Sequence, residues 1–415
     1  MAPLRIAHLS DLHVGHENRG LDMCPHELKP SERVGRTEDY VATFESLAAS
    51  DAFKADGPID MLCITGDISN RAHATEFVYA DRAIRRVASA LGIPGEAVYF
   101  VPGNHDVHWP VMGLEPQRFW SAYRYAPLLQ GELAFRQRAS ESAAGAFDVA
   151  PYFVAWESDK ALIVGINSAA YDGPEDELHP GTVRQETLEA LDQFLSARVR
   201  DPQKLRLCLL HHHPFQMSEP IPDTNDPTIV VNAENFLALL SKHCFDLVMH
   251  GHKHQPRLKT HLVNNCHPMI SMCAGSFSAV LHPLHFDGSS NLFHVINVHG
   301  RDPSSGGITG TVQSWTHKGK WEPSHALRGI PAVEAFGSHS TPDQIRAHLI
   351  AGLQTCMDSA EFCRWPDLVE HESQLQHVRS DVAHGLLTEV ARELGYDMAG
   401  DKNGSPASWA VFRRK

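Results

Sequence analysis

The sequence has no apolar run of about 18 residues or more, so it offers no segment long enough for a transmembrane helix. Its start, residues 1–11, lacks the charged leader, apolar stretch and cleavage site of a secretory signal peptide. The eight cysteines include no CxxC pair and do not indicate a disulfide framework. Cys63, Cys208 and Cys273 lie in apolar runs, where reduced core residues are expected. These absences together favour a cytoplasmic protein.

The chain also has fewer basic than acidic residues. The chain has 36 Lys and Arg against 50 Asp and Glu, a net charge of −14. Broad attraction to nucleic acid or to an anionic membrane is therefore disfavoured, because both normally depend on clustered basic side chains. Bound divalent cations would reverse the potential locally, so a small anionic substrate stays compatible with this charge.

The 415 residues are enough for about two or three structural units. Strand-like apolar runs alternate with helical patterns at 75–91, 184–198 and 233–243. Most of these runs are continuously apolar, as in strands covered on both faces, which predicts an α/β layer structure. The runs are at 4–9, 60–65, 97–101, 161–166, 205–210, 246–249, 268–273 and 292–298.

We predict a main domain over residues 1–325 with insertions at about 14–60 and 107–150. The second insertion is rich in aromatic residues and follows a polar motif directly, which favours a position over the site. A packing subdomain without substrate contact is the equal alternative.

Residues 338–415 are predicted to form a small, mainly helical C-terminal module. Pro342 suits the first turn of a helix, Gly395 suits a helix end, and 401–404 suits the turn of a terminal hairpin. Helices followed by a hairpin suggest a winged-helix or docking module. A helical appendage that packs on the main domain or mediates oligomerisation is the favoured alternative.

Five short polar motifs stand where strand-like runs end. In open α/β sheets, ligands bind outside the carboxyl ends of the strands, so these motifs are expected to converge. They are Asp11-Leu12-His13, Gly66-Asp67, Gly103-Asn104-His105-Asp106, His211-His212-His213-Pro214 and His250-Gly251-His252-Lys253-His254.

These residue types suit a pair of divalent metal ions. Carboxylate, imidazole and amide ligands fit Mn, Fe, Co, Ni or Zn, and two such ions can activate a nucleophile and neutralise a phosphoryl group. Asp11 and His13 alternate along an extended segment, so they can share one ion. Asp67 can bridge both ions, and Asn104 offers a neutral carbonyl oxygen.

The series of motifs resembles the calcineurin-like metallophosphoesterase superfamily over residues 1–320. The Ser10-Asp11-Leu12-His13 opening and the Gly251-His252-Lys253-His254 closing are most similar to its class III cyclic-nucleotide phosphodiesterase branch. The resemblance implies a four-layer α-β-β-α sandwich and a dinuclear centre, with manganese or iron–manganese favoured and zinc, cobalt or nickel as alternatives.

The resemblance also implies a ligand set. One metal would be bound by Asp11, His13, Asp67 and His254, and the other by Asp67, Asn104, His252 and a histidine of the 211–213 triplet. The His-x-Pro pattern selects His212, with His211 as the competing choice and His213 as a substrate or supporting contact. His105 would stabilise the transition state or protonate the leaving oxygen, and Asp106 would orient His105.

The favoured function is hydrolysis of a phosphodiester bond, in a small or cyclic nucleotide-like substrate, by hydroxide that bridges the two metals. A nuclease of the same superfamily, a phosphomonoesterase and a non-enzymatic scaffold built on the metal site are the alternatives. The nuclease would need basic residues from the insertions, such as Arg33, Arg36, Arg118, Arg124, Arg136 and Arg138.

Overall fold

A computed structural model describes residues 3–15, 36–107, 153–169, 172, 180–216, 228–263, 267–281, 289–325, 329–402 and 404–414. Nearly all of the predicted insertion at 107–150, and residues 16–35 of the insertion at 14–60, lie outside this description.

The described strands fall into three sheets. In chain order they are β1 (Leu4–Leu9), β2 (Met61–Thr65), β3 (Val98–Val101), β4 (Phe153–Glu157), β5 (Ala161–Ile166), β6 (Leu205–Leu209), β7 (Leu247–His250), β8 (Arg257–His261), β9 (Met269–Cys273), β10 (Leu292–Arg301), β11 (Ile308–His317), β12 (Trp321–Pro323), β13 (Val333–Phe336), β14 (Phe362–Arg364), β15 (Tyr396–Ala399) and β16 (Ala410–Arg413).

The described helices lie between and after these strands. They are α1 (Arg36–Ala49), α2 (Asp51–Lys54), α3 (Ala74–Ala90), α4 (Gln185–Ser196), α5 (Ala233–Lys242), α6 (Pro342–Ser359), α7 (Trp365–His371) and α8 (Ser380–Glu393). None of them combines the length and the apolar composition that a membrane crossing requires.

Two large sheets form the main domain. The first has the order β12-β11-β10-β1-β2-β3, with β13 paired to β11, and the second has the order β4-β5-β6-β7-β9-β8. Strands β1, β2 and β3 are parallel, as are β5, β6, β7 and β9. Every residue of β1, β2, β5 and β6 is buried, which accounts for their mainly apolar sequences.

The main domain has four layers. Phe44 of α1 and Phe77 of α3 pack against the outer face of the first sheet. Ile6 of that sheet and Met249 of the second share the core between the sheets. Phe236 of α5 packs, together with residues of α4, on the outer face of the second sheet. The predicted α-β-β-α sandwich is confirmed, because each sheet has one face on its partner and one face under helices.

The C-terminal module has an apolar core of its own, built around the fully buried Trp409. Its elements run α6-β14-α7-α8-β15-β16, and its sheet has the order β14-β16-β15. One buried contact with the main domain is made by Ser380, at the start of α8, which donates from its backbone nitrogen and its hydroxyl to Glu334 of β13 at 2.7 and 2.6 Å.

The exposed side of α8 is not basic. Asp381, Glu389 and Glu393 are exposed on it together with one basic residue, Arg392, and Arg379 and Arg346 pair with Asp381 and Glu393 respectively. This surface therefore does not favour the phosphate backbone of nucleic acid.

The cysteines of the two units differ. Cys63, Cys208 and Cys273 are free and buried, as predicted. Cys356, in α6, and Cys363, in β14, form a disulfide that the sequence analysis did not anticipate. Their spacing matches no CxxC motif, and only the turn between α6 and β14 brings the two side chains together.

Candidate metal centre

The five polar motifs follow five strands of the two large sheets. Three of the strands, β1, β2 and β3, belong to the first sheet, and the other two, β6 and β7, belong to the second. Because the two sheets face each other, the carboxyl ends of these strands bring the motifs together across the gap between the sheets.

The backbone at this place is strained. Five of the candidate ligands have φ angles between 50° and 71°, a region that L residues rarely adopt. Each such residue costs on the order of 1–3 kcal/mol and persists only where its surroundings fix it. The five residues are Asp11, His13, Asp67, His252 and His254.

Backbone hydrogen bonds between the first two loops fix this conformation. The nitrogen of Asp11 donates to the carbonyl of Gly66 at 3.0 Å, and that of His13 donates to the carbonyl of Asp67 at 2.9 Å. Gly66 has a φ of 89°, and a Cβ there would lie 2.6 Å from Nδ1 of His211. A side chain at Gly66 would therefore displace a ring of the site.

The first group of possible ligands consists of Asp11, His13 and His254. Nε2 of His13 and Nε2 of His254 lie 3.8 and 3.7 Å from Oδ1 of Asp11. This carboxylate oxygen is buried and accepts no hydrogen bond from the described residues. Leaving a buried carboxylate oxygen unsatisfied is costly, and a cation between these side chains would satisfy it.

The second group contains Asn104, His211 and His252. Oδ1 of Asn104 lies 3.1 Å from Nε2 of His211 and 3.2 Å from Nδ1 of His252. The two ring nitrogens are themselves 3.3 Å apart. One amide oxygen and two imidazole nitrogens thus converge on the same place.

Asp67 lies between the two groups. Its Oδ2 is 3.5 Å from Nε2 of His13 and 3.1 Å from Nε2 of His211. Burial by itself would raise the pKa of Asp67, but the nearby His211 and His105 outweigh burial and hold that pKa well below its usual range. An ionised carboxylate therefore faces both groups.

The two histidines of the second group differ in their affinity for protons. Burial opposes a charge on His211, but Asp67 raises the pKa of His211 to about 9. Burial, followed by the neighbouring His212 and His211, lowers the pKa of His252 well below its usual value. Metal ions bind neutral imidazole, so a cation at this place would displace the proton of His211.

The three consecutive histidines point in different directions. His211 donates from Nδ1 to the carbonyl of Thr65 at 2.7 Å, which directs its Nε2 towards Asp67. His212 places its Nδ1 2.9 Å from the hydroxyl of Ser168. His213 stacks on His252 with the ring centres 5.9 Å apart. The geometry therefore favours His211, the competing choice in the sequence analysis, over His212 as the ligand.

His105 lies beside both groups and is fixed through its other nitrogen. Its Nδ1 is 2.7 Å from the carbonyl oxygen of Asn70, so Nδ1 carries the proton and donates it. Its backbone nitrogen donates to Oδ1 of Asp67 at 2.9 Å. The His105 ring also meets the His13 ring edge to face, with the centres 4.6 Å apart.

Asp106 is bound to main chain rather than to the His105 ring. It accepts from the backbone nitrogen and the hydroxyl of Ser69 at 2.8 and 2.9 Å, and from the backbone nitrogen of Gly103 at 3.0 Å. Burial and the charge of Asp67 raise its pKa to about 7. Asp106 thus connects the second motif to the third, and any effect on His105 passes through the backbone.

The donors fit the expected pair of divalent cations. Carboxylate oxygens, one amide oxygen and imidazole nitrogens are the ligands of borderline metals, and the groups Asp11–His13–His254 and Asp67–His211–His252 each bring their donor atoms close together. The unsatisfied Oδ1 of Asp11 supports this fit.

Three groups that contact the histidines of the site were not predicted from the sequence. They are the Thr65 carbonyl, the Ser168 hydroxyl and the Asn70 carbonyl. Two of them are backbone oxygens, whose position carries no residue-type signal. Ser168 follows the end of β5, and this position at a strand end could have indicated that it lies near the site.

Comparison with known proteins gives a family and several distant structural relatives. The family model for calcineurin-like phosphoesterases matches residues 4–256. No curated protein sequence matches the chain.

Three solved structures illustrate the similarity. A purple acid phosphatase from yellow lupin is 12% identical, with a TM-score of 0.44, over 76% of this chain and 52% of the lupin chain, so this chain spans about half the length of that relative. Vacuolar protein sorting 29 from Cryptosporidium parvum is 12% identical, with a TM-score of 0.33, over 81% of this chain and 100% of its own. Phosphopantetheinyl hydrolase from Mycobacterium tuberculosis is 14% identical, with a TM-score of 0.33, over 66% of this chain and 90% of its own.

Proposed function

Because this chain belongs to the calcineurin-like phosphoesterase family, we propose that it hydrolyses phosphodiester bonds with two divalent metal ions. The proposed substrate is small, such as a cyclic or other nucleotide-like diester. The observation that carries the proposal is the position of Asp67, whose Oδ2 faces His13 and His211 at 3.5 and 3.1 Å. One carboxylate shared by two groups of ligands is what a dinuclear centre requires.

We assign one metal to Asp11, His13, Asp67 and His254. The other is assigned to Asp67, Asn104, His211 and His252, with His211 replacing the His212 of the sequence-based expectation. When bound, the two metals supply an activated nucleophile and neutralise charge on the phosphoryl oxygens. Manganese or iron–manganese is the proposed native content.

The role of His105 follows from its hydrogen bond to Asn70. With the proton held on Nδ1, Nε2 is the ring nitrogen left to meet the substrate. A protonated Nε2 can donate to the leaving oxygen as the ester bond breaks, or bind a phosphoryl oxygen whose charge increases. Asp106 accepts from the backbone nitrogens of Ser69 and Gly103, and so holds the second and third motifs in fixed positions relative to each other.

The acidic net charge of −14 supports a small substrate rather than a long polyanion. Residues 338–415 are proposed to mediate partner docking or oligomerisation. A cytoplasmic location is proposed from the features of the sequence.

An activity panel with added Mn²⁺ tests this function. It compares bis-p-nitrophenyl phosphate, p-nitrophenyl phosphate, cyclic nucleotides and single-stranded DNA. We expect the highest kcat/KM on a small diester. Preference for the monoester, or for DNA, would replace the proposal with a phosphomonoesterase or a nuclease. Absence of both bound metal and activity would favour a scaffold.

A further inference from the structure

Glu76 lies outside all five motifs, yet it is only 1% exposed. It contacts the loop of residues 70–73, whose Asn70 carbonyl binds His105. One carboxylate oxygen, Oε2, accepts from the backbone nitrogen of Arg71 at 2.8 Å and from that of His73 at 3.2 Å. Two donors on one oxygen of a buried carboxylate fix the path of the chain between β2 and α3.

That path determines the position of Asn70, the residue next to Arg71. The Asn70 backbone nitrogen donates to the carbonyl of Val14, the residue after the first motif, at 3.0 Å. The Asn70 side chain is 2% exposed and packs against Gly15, where a Cβ would approach Cβ of Asn70 to 2.6 Å and Oε1 of Glu76 to 2.7 Å. Asn70 is therefore enclosed between Glu76 and the two residues that follow the first motif.

The Asn70 carbonyl is the group that accepts the Nδ1 proton of His105 at 2.7 Å. A displacement of this carbonyl by about 1 Å would turn the imidazole away from its place beside the metal ligands, and misplacement on that scale costs on the order of 100-fold in rate. This hydrogen bond links the orientation of the ring to the loop of residues 70–73.

We propose that Glu76 is a positioning residue for His105, acting through the backbone of residues 70–73. This inference rests on the proposed function for its kinetic consequence, but the orientation of the ring can be measured without turnover. Glu76 touches neither the substrate nor the proposed metals, and its contribution is the geometry of the Asn70 carbonyl.

Three substitutions separate geometry from charge. Glu76→Gln keeps an acceptor oxygen for Arg71 and His73 and is expected to stay within about threefold of wild-type kcat. Glu76→Ala removes the acceptor and is expected to lower kcat about 10- to 100-fold with little change in KM or metal content. Glu76→Asp withdraws the carboxylate by one methylene and is expected to give an intermediate loss.

Glu334 offers a matched control. Like Glu76, it is a buried carboxylate that accepts from a backbone nitrogen near the start of a helix. Its partner, however, is Ser380 of the C-terminal module. Glu334→Ala is expected to lower the melting temperature without changing kcat. An equal kcat loss in Glu334→Ala and Glu76→Ala would overturn the inference, because general destabilisation would then explain both.

The second measurement is the Nδ1 proton of His105 in the Zn²⁺-loaded protein labelled with [15N]histidine, assigned by its loss in His105→Ala. We expect an exchange-protected signal in the wild type and in Glu76→Gln, and its loss in Glu76→Ala. Retention of the signal in a folded Glu76→Ala protein would overturn the inference. Absence of phosphoesterase activity in the wild type would refute the proposed function alone, since the proton signal would still decide the role of Glu76.

Discussion

The candidate metal centre and the C-terminal module are built in opposite ways. The centre concentrates buried polar side chains, including Asp11, Asp67 and Asp106, and it contains five residues with positive φ. Within the described part of the module, Ser380 is the one buried polar residue, and every positive φ belongs to a glycine. The module is held by apolar packing, helix capping and a disulfide.

The difference shows that the metal centre, and not the module, keeps destabilising features in order to hold its side chains in a particular arrangement. Strained backbone and unsatisfied polar atoms persist where a tightly packed framework holds them, and they are concentrated at sites that bind ligands. The module shows what the same chain does where no such geometry is needed. Substitutions at the centre should therefore change metal binding and rate, whereas substitutions in the module should change stability.

The largest effect is expected from Asp67→Asn. An amide has no charge with which to hold two cations, and Asp67 faces both ligand groups. We expect kcat/KM to fall by more than about 1000-fold and the metal content to drop, measured by steady-state kinetics and elemental analysis. Two bound metals with full activity in this variant would refute the bridging role.

His105→Ala is expected to separate rate from metal binding. Without the imidazole, the leaving oxygen or the phosphoryl group loses its partner, and kcat should fall about 100- to 1000-fold. The metal content should stay at the wild-type value because both ligand groups are intact. Loss of metal in this variant would instead make His105 a ligand.

The histidine triplet gives a matched pair of variants. His211→Ala should weaken metal binding by about 100-fold, since its Nε2 is 3.1 Å from both Asp67 and Asn104. His212→Ala removes a ring bound to Ser168 and should weaken metal binding about tenfold or less. Titration with Mn²⁺ measures both, and the reverse order would restore His212 as the ligand.

In the module, replacing Cys356 and Cys363 together by alanine should affect stability alone. The disulfide closes a short loop, with a sequence separation of 7, and chain entropy for such a loop corresponds to about 2–3 kcal/mol. Calorimetry should show a lower unfolding temperature for the module, with kcat unchanged. A reducing agent should reproduce the shift in the wild type and have no effect on the variant.

The effect that is smallest at neutral pH concerns a buried histidine of the main domain, because it develops only as the pH falls. Burial lowers the pKa of His294 to about 3, below its value in the unfolded chain. The unfolded state then binds more protons below about pH 6.5, so stability is full above that pH and falls by about 1.4 kcal/mol per unit as pH decreases towards 3. His294→Asn should flatten this slope in urea unfolding at pH 4–7, while an unchanged slope would contradict the assignment.

Much of the fold was predictable because burial on both faces leaves a clear sequence record. The mainly apolar, non-alternating runs of β1, β2, β5 and β6 predicted covered strands, and all of their residues are buried. The disulfide was missed because its cysteines lie on separate elements, α6 and β14, in no recognised spacing.

The candidate site was predictable to the level of motifs but not of contacts. The convergence of the five motifs follows from their places at strand ends. The orientation of His211, the backbone partners of Asp106 and the enclosure of Asn70 by Glu76 depend on atoms whose positions no residue type encodes.

The layer structure and the kind of chemistry follow from residue types and their order, because strand burial and the choice of metal ligands are properties of residue identity. Which imidazole of 211–213 faces Asp67, and what holds His105, follows from the folded arrangement. Both depend on hydrogen bonds to backbone carbonyls, at Thr65 and Asn70, and carbonyls are alike in every residue until the fold places them.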